Sequence, residues 1–281
     1  MRPSPYRLLA TDLDGTLLDP SGRVHARDAE AIAELSARGV RVTICTGRMH
    51  SGMREIARGI RVSGPVACVD GSHIHDAESG AELSSSKIHG EASRGLRAIL
   101  ADARPATFLF SCEEILHDDG GAPFLEYVRA WTPQLRCVAD VLALGWDDEQ
   151  GLGAVVSVGS GEQIEGAERR IRALPGEPLQ TAAFAVKRGG LDGLWGMIVR
   201  AAGTTKGTAL EWIAQHHGIP MTEVVAVGDW VNDTDMLRRA GRSFVMAQAP
   251  DEVKQAATDQ LVADHVTGGG IAEAARRAGM L

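Results

Sequence analysis

Aromatic residues are scarce in this chain of 281 residues, at 4%, and cations are the minority charge: 29 Lys and Arg stand against 37 Asp and Glu, a net charge of −8. That balance excludes broad electrostatic binding to nucleic acid or to an anionic membrane surface, so any anionic ligand must be held by local chemistry. The four cysteines, Cys45, Cys68, Cys112 and Cys137, contain no CxxC pair. Neither a zinc framework nor a disulfide scaffold is indicated, and a reducing cytoplasm suits them. No run of about eighteen apolar residues occurs, and the N-terminal stretch meets Asp12 and Asp14 before a signal-peptide core could form. The expectation is a cytoplasmic protein that is neither exported nor anchored, with no membrane and no nucleic-acid partner. What is present, 44% hydrophobic and 23% charged residues, is the composition of a folded globular protein. The length lies near the size at which one core gives way to two domains.

The first eighty residues alternate short apolar runs with helical patterns. Leu8, Leu9 and Ala10 end at the acidic turn TDLDGT and read as a buried strand. Ala26 to Arg38 places Ala29, Ile32, Ala33 and Ala37 on one predicted helical stripe, with Gly39 where a left-handed cap is wanted. Val40 to Cys45 and Val66 to Val69 supply two more apolar runs, separated by a helical segment through Met53 and Ile56. Strand, helix, strand, helix, strand implies a parallel sheet. The rhythm returns late, with a helix over Thr208 to His216, a strand over Val224 to Val227, a helix over Asp233 to Ala240 and a strand over Ser243 to Met246. Between these halves the pattern turns to β-rich pieces such as Thr107 to Ser111 and Ala154 to Val158, which reads as an inserted domain. Its edges are the polar Ser84 to Ser86 and the glycine-rich Arg188 to Gly193, so the expected division is 1–83 and 193–281 for the core, with 84–192 inserted.

Asp12 and Asp14 sit at the carboxyl end of the first predicted strand, where open α/β sheets bind ligands, and Gly15 permits a sharp turn beyond them. One such carboxylate can bind a divalent metal and act as nucleophile while its neighbour exchanges a proton. A DxD alone also fits a surface turn, a calcium loop or a glycosyltransferase metal site. Three further clusters stand at the ends of other predicted elements. Thr46, Gly47 and Arg48 offer a hydroxyl and a cation; Lys206, Gly207 and Thr208 open a helix, placing a mobile ammonium beside free amides; Gly228 to Asp233 bring two more carboxylates. Hard oxygen ligands of this kind favour magnesium.

The segments DLDGTLLD at Asp12 to Asp19, TGR at Thr46 to Arg48, KGTAL at Lys206 to Leu210 and GDWVND at Gly228 to Asp233 resemble, in order and spacing, the four motifs of the haloacid dehalogenase-like hydrolases. They resemble in particular the Cof-type phosphatases, which carry a large cap in the gap between the second and third motifs. The resemblance implies an α/β fold: a Rossmann-like parallel sheet core with an inserted α+β cap domain. It implies a magnesium-dependent phosphatase acting on a small phosphorylated metabolite, such as a sugar phosphate or a phosphorylated cofactor. Asp12 would attack phosphorus to form an aspartyl-phosphate, and Asp14 would serve as acid and then base. Thr46, Gly47, Arg48, Lys206 and Asn232 would bind phosphate, and magnesium would lie on Asp12, the main chain of Asp14, Asp229 and Asp233. A phosphomutase and a phospho-ligand binding or regulatory protein without turnover remain as alternatives, and the oligomeric state is unknown.

Two departures from the pattern stand out. Asp70 and Gly71 follow the third apolar run where many relatives have Asn and Gly, which adds a carboxylate near an anion site; Trp230 occupies a position usually small. The bulky ring would narrow the pocket or pack beneath it. His73 and His75 alternate on one face beside Asp76, a possible metal pair, but fall in a predicted hairpin turning at Asp76 to Gly80. Cys45 and Cys68 read as core thiols, Asp19 as a turn cap, and Arg48 either as a phosphate ligand or as the partner of a core carboxylate. Glu113, His117, Trp131, Trp146 and Lys187 are possible substrate readers in the insert, each more readily explained as structural or solvated.

Overall fold

The computed structural model describes residues 4–111, 113–146, 151–186 and 193–281. Cys112, Lys187 and most of the predicted 188–193 linker lie outside the described residues. The chain forms two compact units, one of Met1–Gly47, Arg54–Ser84 and Thr205–Leu281, the other of Arg48–Met53 and Ser85–Thr204.

The first unit is built on a five-stranded sheet whose order is Asp259–Gln260, Arg242–Val245, Val224–Gly228, Leu8–Thr11, Arg41–Ile44. Every neighbouring pair is parallel, with Leu8 opposite both Val224 and Arg41. A strand covered on both faces needs apolar residues at successive positions rather than alternate ones, and Leu8–Thr11 and Val224–Gly228 are buried at every residue. Leu8, Ala10, Val224, Ala226 and Val245 share a core with Leu210 and Ile213 of the helix Lys206–His216 and Leu237 of the helix Thr234–Arg239. The third apolar run, Pro65–Cys68, joins the neighbourhood of this sheet by one parallel bridge, Cys45 to Ala67, and pairs antiparallel with His73–Asp76 in a separate sheet completed by Glu82–Ser85.

The helix Ala26–Ala37 buries Asp28, Ala31, Ile32 and Leu35, so its inner stripe is not the expected one, and Ala33 and Ala37 are exposed. An aspartate on the stripe hid it. Asp28 is fully buried because its carboxylate accepts from the amides of Gly269 (2.8 Å) and Ala272 (2.9 Å), the otherwise unpaired donors opening the helix Gly270–Arg277. Gly39 adopts φ +80°, as its place beyond the helix required.

The second unit contains a six-stranded sheet, ordered Gln180–Ala185, Leu194–Arg200, Ala154–Ser160, Ala106–Ser111, Glu114–His117, Leu135–Cys137, antiparallel except for the last pair. The helices Gly90–Ala103 and Gly161–Arg172 contribute Leu96, Leu100, Ile164 and Ile171 to a core with Val155, Met197 and Val199. Leu194–Arg200 is bonded on both sides within this sheet, so the unit runs on to Thr204 rather than ending at 192. The glycine-rich stretch before it resembles a linker in composition but precedes a strand of the insert. Arg48–Met53 belongs to this unit because Met49 donates to the Trp131 carbonyl (2.9 Å) and the Ser51 hydroxyl meets Glu113 O (2.9 Å) and Thr132 Oγ1 (2.7 Å).

Replacing Asp28 by Ala is expected to lower the unfolding free energy by about 1–3 kcal/mol, since two buried amides lose their acceptor. Urea unfolding of the two proteins checks this, and an unchanged midpoint would contradict the capping role.

Candidate active site

Four segments of the first unit meet at the carboxyl end of its parallel sheet. The strand Leu8–Thr11 hands on directly to Asp12, whose amide donates to the Val227 carbonyl (3.0 Å), and Val224–Gly228 hands on to Asp229. Lys206 is the first residue of a helix closed by a reciprocal cap between Thr205 and Thr208. Its ammonium, on a side chain 1% exposed, is neither mobile nor solvated. It donates to Asp12 Oδ1 (2.7 Å) and Asp233 Oδ1 (2.6 Å) and lies 3.9 Å from Asp70 Oδ1. The expectation of a mobile cation fails because the carboxylates that require it are themselves buried.

Asp233 uses its other oxygen to accept from the amides of Asp229 (2.8 Å) and Trp230 (3.0 Å), so it fixes the loop that carries Asp229. Asp229 in turn accepts from Thr16 Oγ1 (3.1 Å) and Gln248 Nε2 (3.3 Å), and the Gln248 amide also donates to Gly15 O (2.6 Å). Thr16 and Gln248 were not among the predicted site residues. Thr16 lies inside the DLDGT segment and could have been found there. Gln248 follows a neighbouring strand with nothing in its local sequence to mark it. Gly15 is required by close approach: at φ +87°, a Cβ would stand 2.3 Å from Asp229 Oδ2.

Val69 and Asp70 both take left-handed conformations, φ 50° and 51°, followed by Gly71 at φ +102°. For a β-branched valine this is strained, at roughly 1–3 kcal/mol. A Cβ on Gly71 would meet the Thr205 carbonyl at 2.4 Å, so only glycine lets this turn approach the start of the Lys206 helix. The turn brings Asp70 to Asn232, whose amide donates to Asp70 Oδ1 (2.8 Å). The unusual Asp70 is thus part of the same network as Lys206. Trp230 is 46% exposed and does not pack beneath the loop.

Thr46 is fully buried at the end of Arg41–Ile44, its amide bonded to Ala67 O (2.9 Å) and its carbonyl accepting from the Asp70 amide (2.9 Å). Gly47 follows it in the same unit, whereas Arg48 groups with the second, where its guanidinium donates to Gly52 O (3.3 Å). Asp14 is exposed, in contrast to Asp12. Asp19 caps the turn Ser21 to Arg23; the Ser21 hydroxyl, then the Arg23 amide, lowers its pKa to about 2. Cys45 and Cys68 are buried, and burial pushes the Cys45 thiol up to about 12. In the second unit His117 and Trp146 are buried, their ring nitrogens bonded to the main chain at Asp118 and Val141, and the Trp131 ring packs on Phe110 and Tyr127.

Asp12, Asp229 and Asp233 are buried and each offers an oxygen within 4.8 Å of the others. Burial, above all, pushes the Asp12 carboxyl well above the usual range; the attraction of Lys206 opposes this, and the charges of Asp233 and Asp229 add to it. Asp229 rises to about 7, first through burial and then through Asp233. Lys206 is held well above its ordinary value because its carboxylate neighbours outweigh its own burial. One ammonium cannot balance this cluster. An all-oxygen donor set with surplus negative charge fits a divalent cation.

A family model for haloacid dehalogenase-like hydrolases matches residues 9–274. An HMP-PP phosphatase from Klebsiella pneumoniae is 26% identical over 254 residues, covering 88% of this chain and 86% of its own. Phosphatase YwpJ from Bacillus subtilis is 24% identical over 280 residues, covering 93% and 94%. In fold, a haloacid dehalogenase-like hydrolase from Bacteroides thetaiotaomicron superposes with a TM-score of 0.80 at 22% identity, covering 97% of this chain and 99% of that one. The chain belongs to the haloacid dehalogenase-like hydrolases. Most of its second unit, Ser85–Thr204, is inserted in sequence between segments of the first. Among the described residues, no helix is long and apolar enough to cross a membrane.

Two outcomes follow from the carboxylate cluster. The folded pKa of Asp229, about 7, lies above its ordinary 3.8, so between these values the metal-free fold keeps a proton that the unfolded chain releases. Stability in chelator is therefore expected to fall as pH rises from about 4 to about 7, and a saturating divalent cation to remove that fall; identical urea midpoints with and without cation across this range would contradict the assignment. Gly15→Ala forces Asp229 aside and is expected to weaken divalent-cation binding by at least about tenfold in calorimetric titration. Unchanged affinity would show that Gly15 is not needed for clearance.

Proposed function

We propose that the chain is a magnesium-dependent phosphatase that hydrolyses a small phosphorylated metabolite through an aspartyl-phosphate on Asp12. The observation that carries this reading is the buried Asp12 carboxylate at the carboxyl end of the parallel sheet, bonded to the Lys206 ammonium and beside the Asp229 and Asp233 carboxylates. A carboxylate used only for binding has no need of an exposed second acid two residues on, and Asp14 supplies that acid.

In the first step an Asp12 oxygen attacks phosphorus, the bond from phosphorus to the leaving oxygen breaks, and Asp14 gives that oxygen its proton. In the second, Asp14 takes a proton from water as the water oxygen attacks the same phosphorus, releasing inorganic phosphate and restoring Asp12. Asp12, Asp229 and the main chain of Asp14 would hold magnesium, with Asp233 orienting the loop. When bound, magnesium offsets the repulsion between carboxylate and phosphate and stabilises charge on the transferred group. Lys206 has three donors, two of them given to Asp12 and Asp233, which leaves one for a phosphate oxygen. Thr46, Gly47 and Asn232, all of the first unit, would complete the phosphate site. The relatives named as HMP-PP phosphatases support a small phosphorylated substrate.

Inorganic phosphate release from a panel of phosphorylated metabolites, with magnesium or chelator, tests this reading. Magnesium-dependent release is expected for the unaltered protein, and Asp12→Asn should lower it by roughly three orders of magnitude or more while leaving the fold intact. Comparable release from both proteins would overturn the nucleophile.

A further inference from the structure

The hairpin formed by His73–Asp76 and Glu82–Ser85 holds a second cluster that the phosphatase reading does not use. His73 and His75 alternate along one strand, so both imidazoles fall on the same face of the sheet. Their rings stack with centroids 5.9 Å apart and planes 21° from parallel. Glu82, on the other arm, brings Oε2 to 3.0 Å from His73 Nδ1. One ligand atom from each of His73, His75 and Glu82 lies within 4.8 Å of the other two.

From this arrangement we infer that the hairpin is a binding site for a divalent transition-metal ion, zinc being the natural representative, separate from the all-carboxylate centre. Two imidazoles and one carboxylate are a donor set that borderline ions prefer and magnesium does not. Ligand bonds of about 2.0–2.1 Å in a tetrahedral centre place ligand atoms roughly 3.3 Å apart, close to the 3.0 Å between His73 and Glu82. His75 Nδ1 lies 3.2 Å from the Gly80 carbonyl. Such a contact to a main-chain carbonyl fixes the orientation of the ring, as is usual for metal-bound histidines. The two histidines are 2% and 6% exposed, whereas the Glu82 side chain is 38% exposed, so the cluster borders solvent on its carboxylate side. Asp76 is not needed as a ligand, since its Oδ1 accepts from the Ser79 amide (2.8 Å) and hydroxyl (2.7 Å) and holds the turn. The site begins two residues after Gly71, so the ion would clamp the hairpin that leaves the strained Val69–Gly71 turn.

Cobalt(II) is the probe, because nitrogen-ligated tetrahedral cobalt absorbs visible light far more strongly than cobalt in an octahedral oxygen shell. The full chain with excess magnesium is titrated with cobalt, alongside Asp229→Asn, His75→Gln and Glu82→Gln. The expected result is one equivalent of strongly absorbing cobalt, displaced by zinc, retained in Asp229→Asn and weakened at least about tenfold in His75→Gln. Glu82→Gln, at a partly exposed position, should show the same weakening and guards against a folding defect in the buried histidine variant. Absent strong absorption in the unaltered protein, or absorption lost in Asp229→Asn and kept in both hairpin variants, would overturn the proposal and leave His73 and Glu82 as a plain cross-strand pair.

Discussion

The structure of the first unit depends on the buried ammonium of Lys206. An isolated cation so completely removed from water would cost several kcal/mol, and the surrounding carboxylates would each carry a comparable penalty without it. Together they form one arrangement in which Asp12 and Asp233 are positioned by the same three-donor group. The residual negative charge is what makes the cluster receptive to a divalent cation, and the elevated Asp229 carboxyl is its physical signature. Binding chemistry and folding chemistry are therefore the same interactions here.

Holding several carboxylates this close also requires the backbone to come close, and glycine supplies the clearance. Gly15 admits Asp229, Gly71 admits the Thr205 carbonyl, and Gly228 admits Asp233, whose Cγ would lie 2.6 Å from an added Cβ. The left-handed Val69 and Asp70 belong to the same requirement. Their conformations are unfavourable locally and are sustained by the packed strands and helix on either side, a pattern common at sites of function.

The parallel core was legible because continuous apolar strands between amphipathic helices have few other solutions, and Asp12, Lys206, Asp229 and Asp233 were legible because they stand where such elements end or begin, in recognisable segments. Other features were not. Asp28 lies on an apolar stripe for a reason found some 240 positions away, at the amides of Gly269 and Ala272. Gln248 reaches Asp229 and Gly15 from a neighbouring loop, a contact made by sheet order alone. The strand Leu194–Arg200 follows a stretch whose glycines suggest a linker, yet its partners are Ala154–Ser160 and Gln180–Ala185.

By itself the sequence determined the chemical inventory: which carboxylates and cations end which elements, the alternation that makes a parallel sheet, and the family to which the motifs belong. These are properties of local order, carried by periodicity and spacing along the chain. Only the tertiary structure decided how the charges are shared. Lys206 is spent between Asp12 and Asp233, Asp70 is tied to Asn232, Trp230 stands exposed, and His73 meets Glu82 across a hairpin. Each of these depends on distances of a few ångströms between residues remote in sequence or on opposite arms of a turn. Coulombic and hydrogen-bond energies vary most steeply over that range, and no linear pattern encodes it.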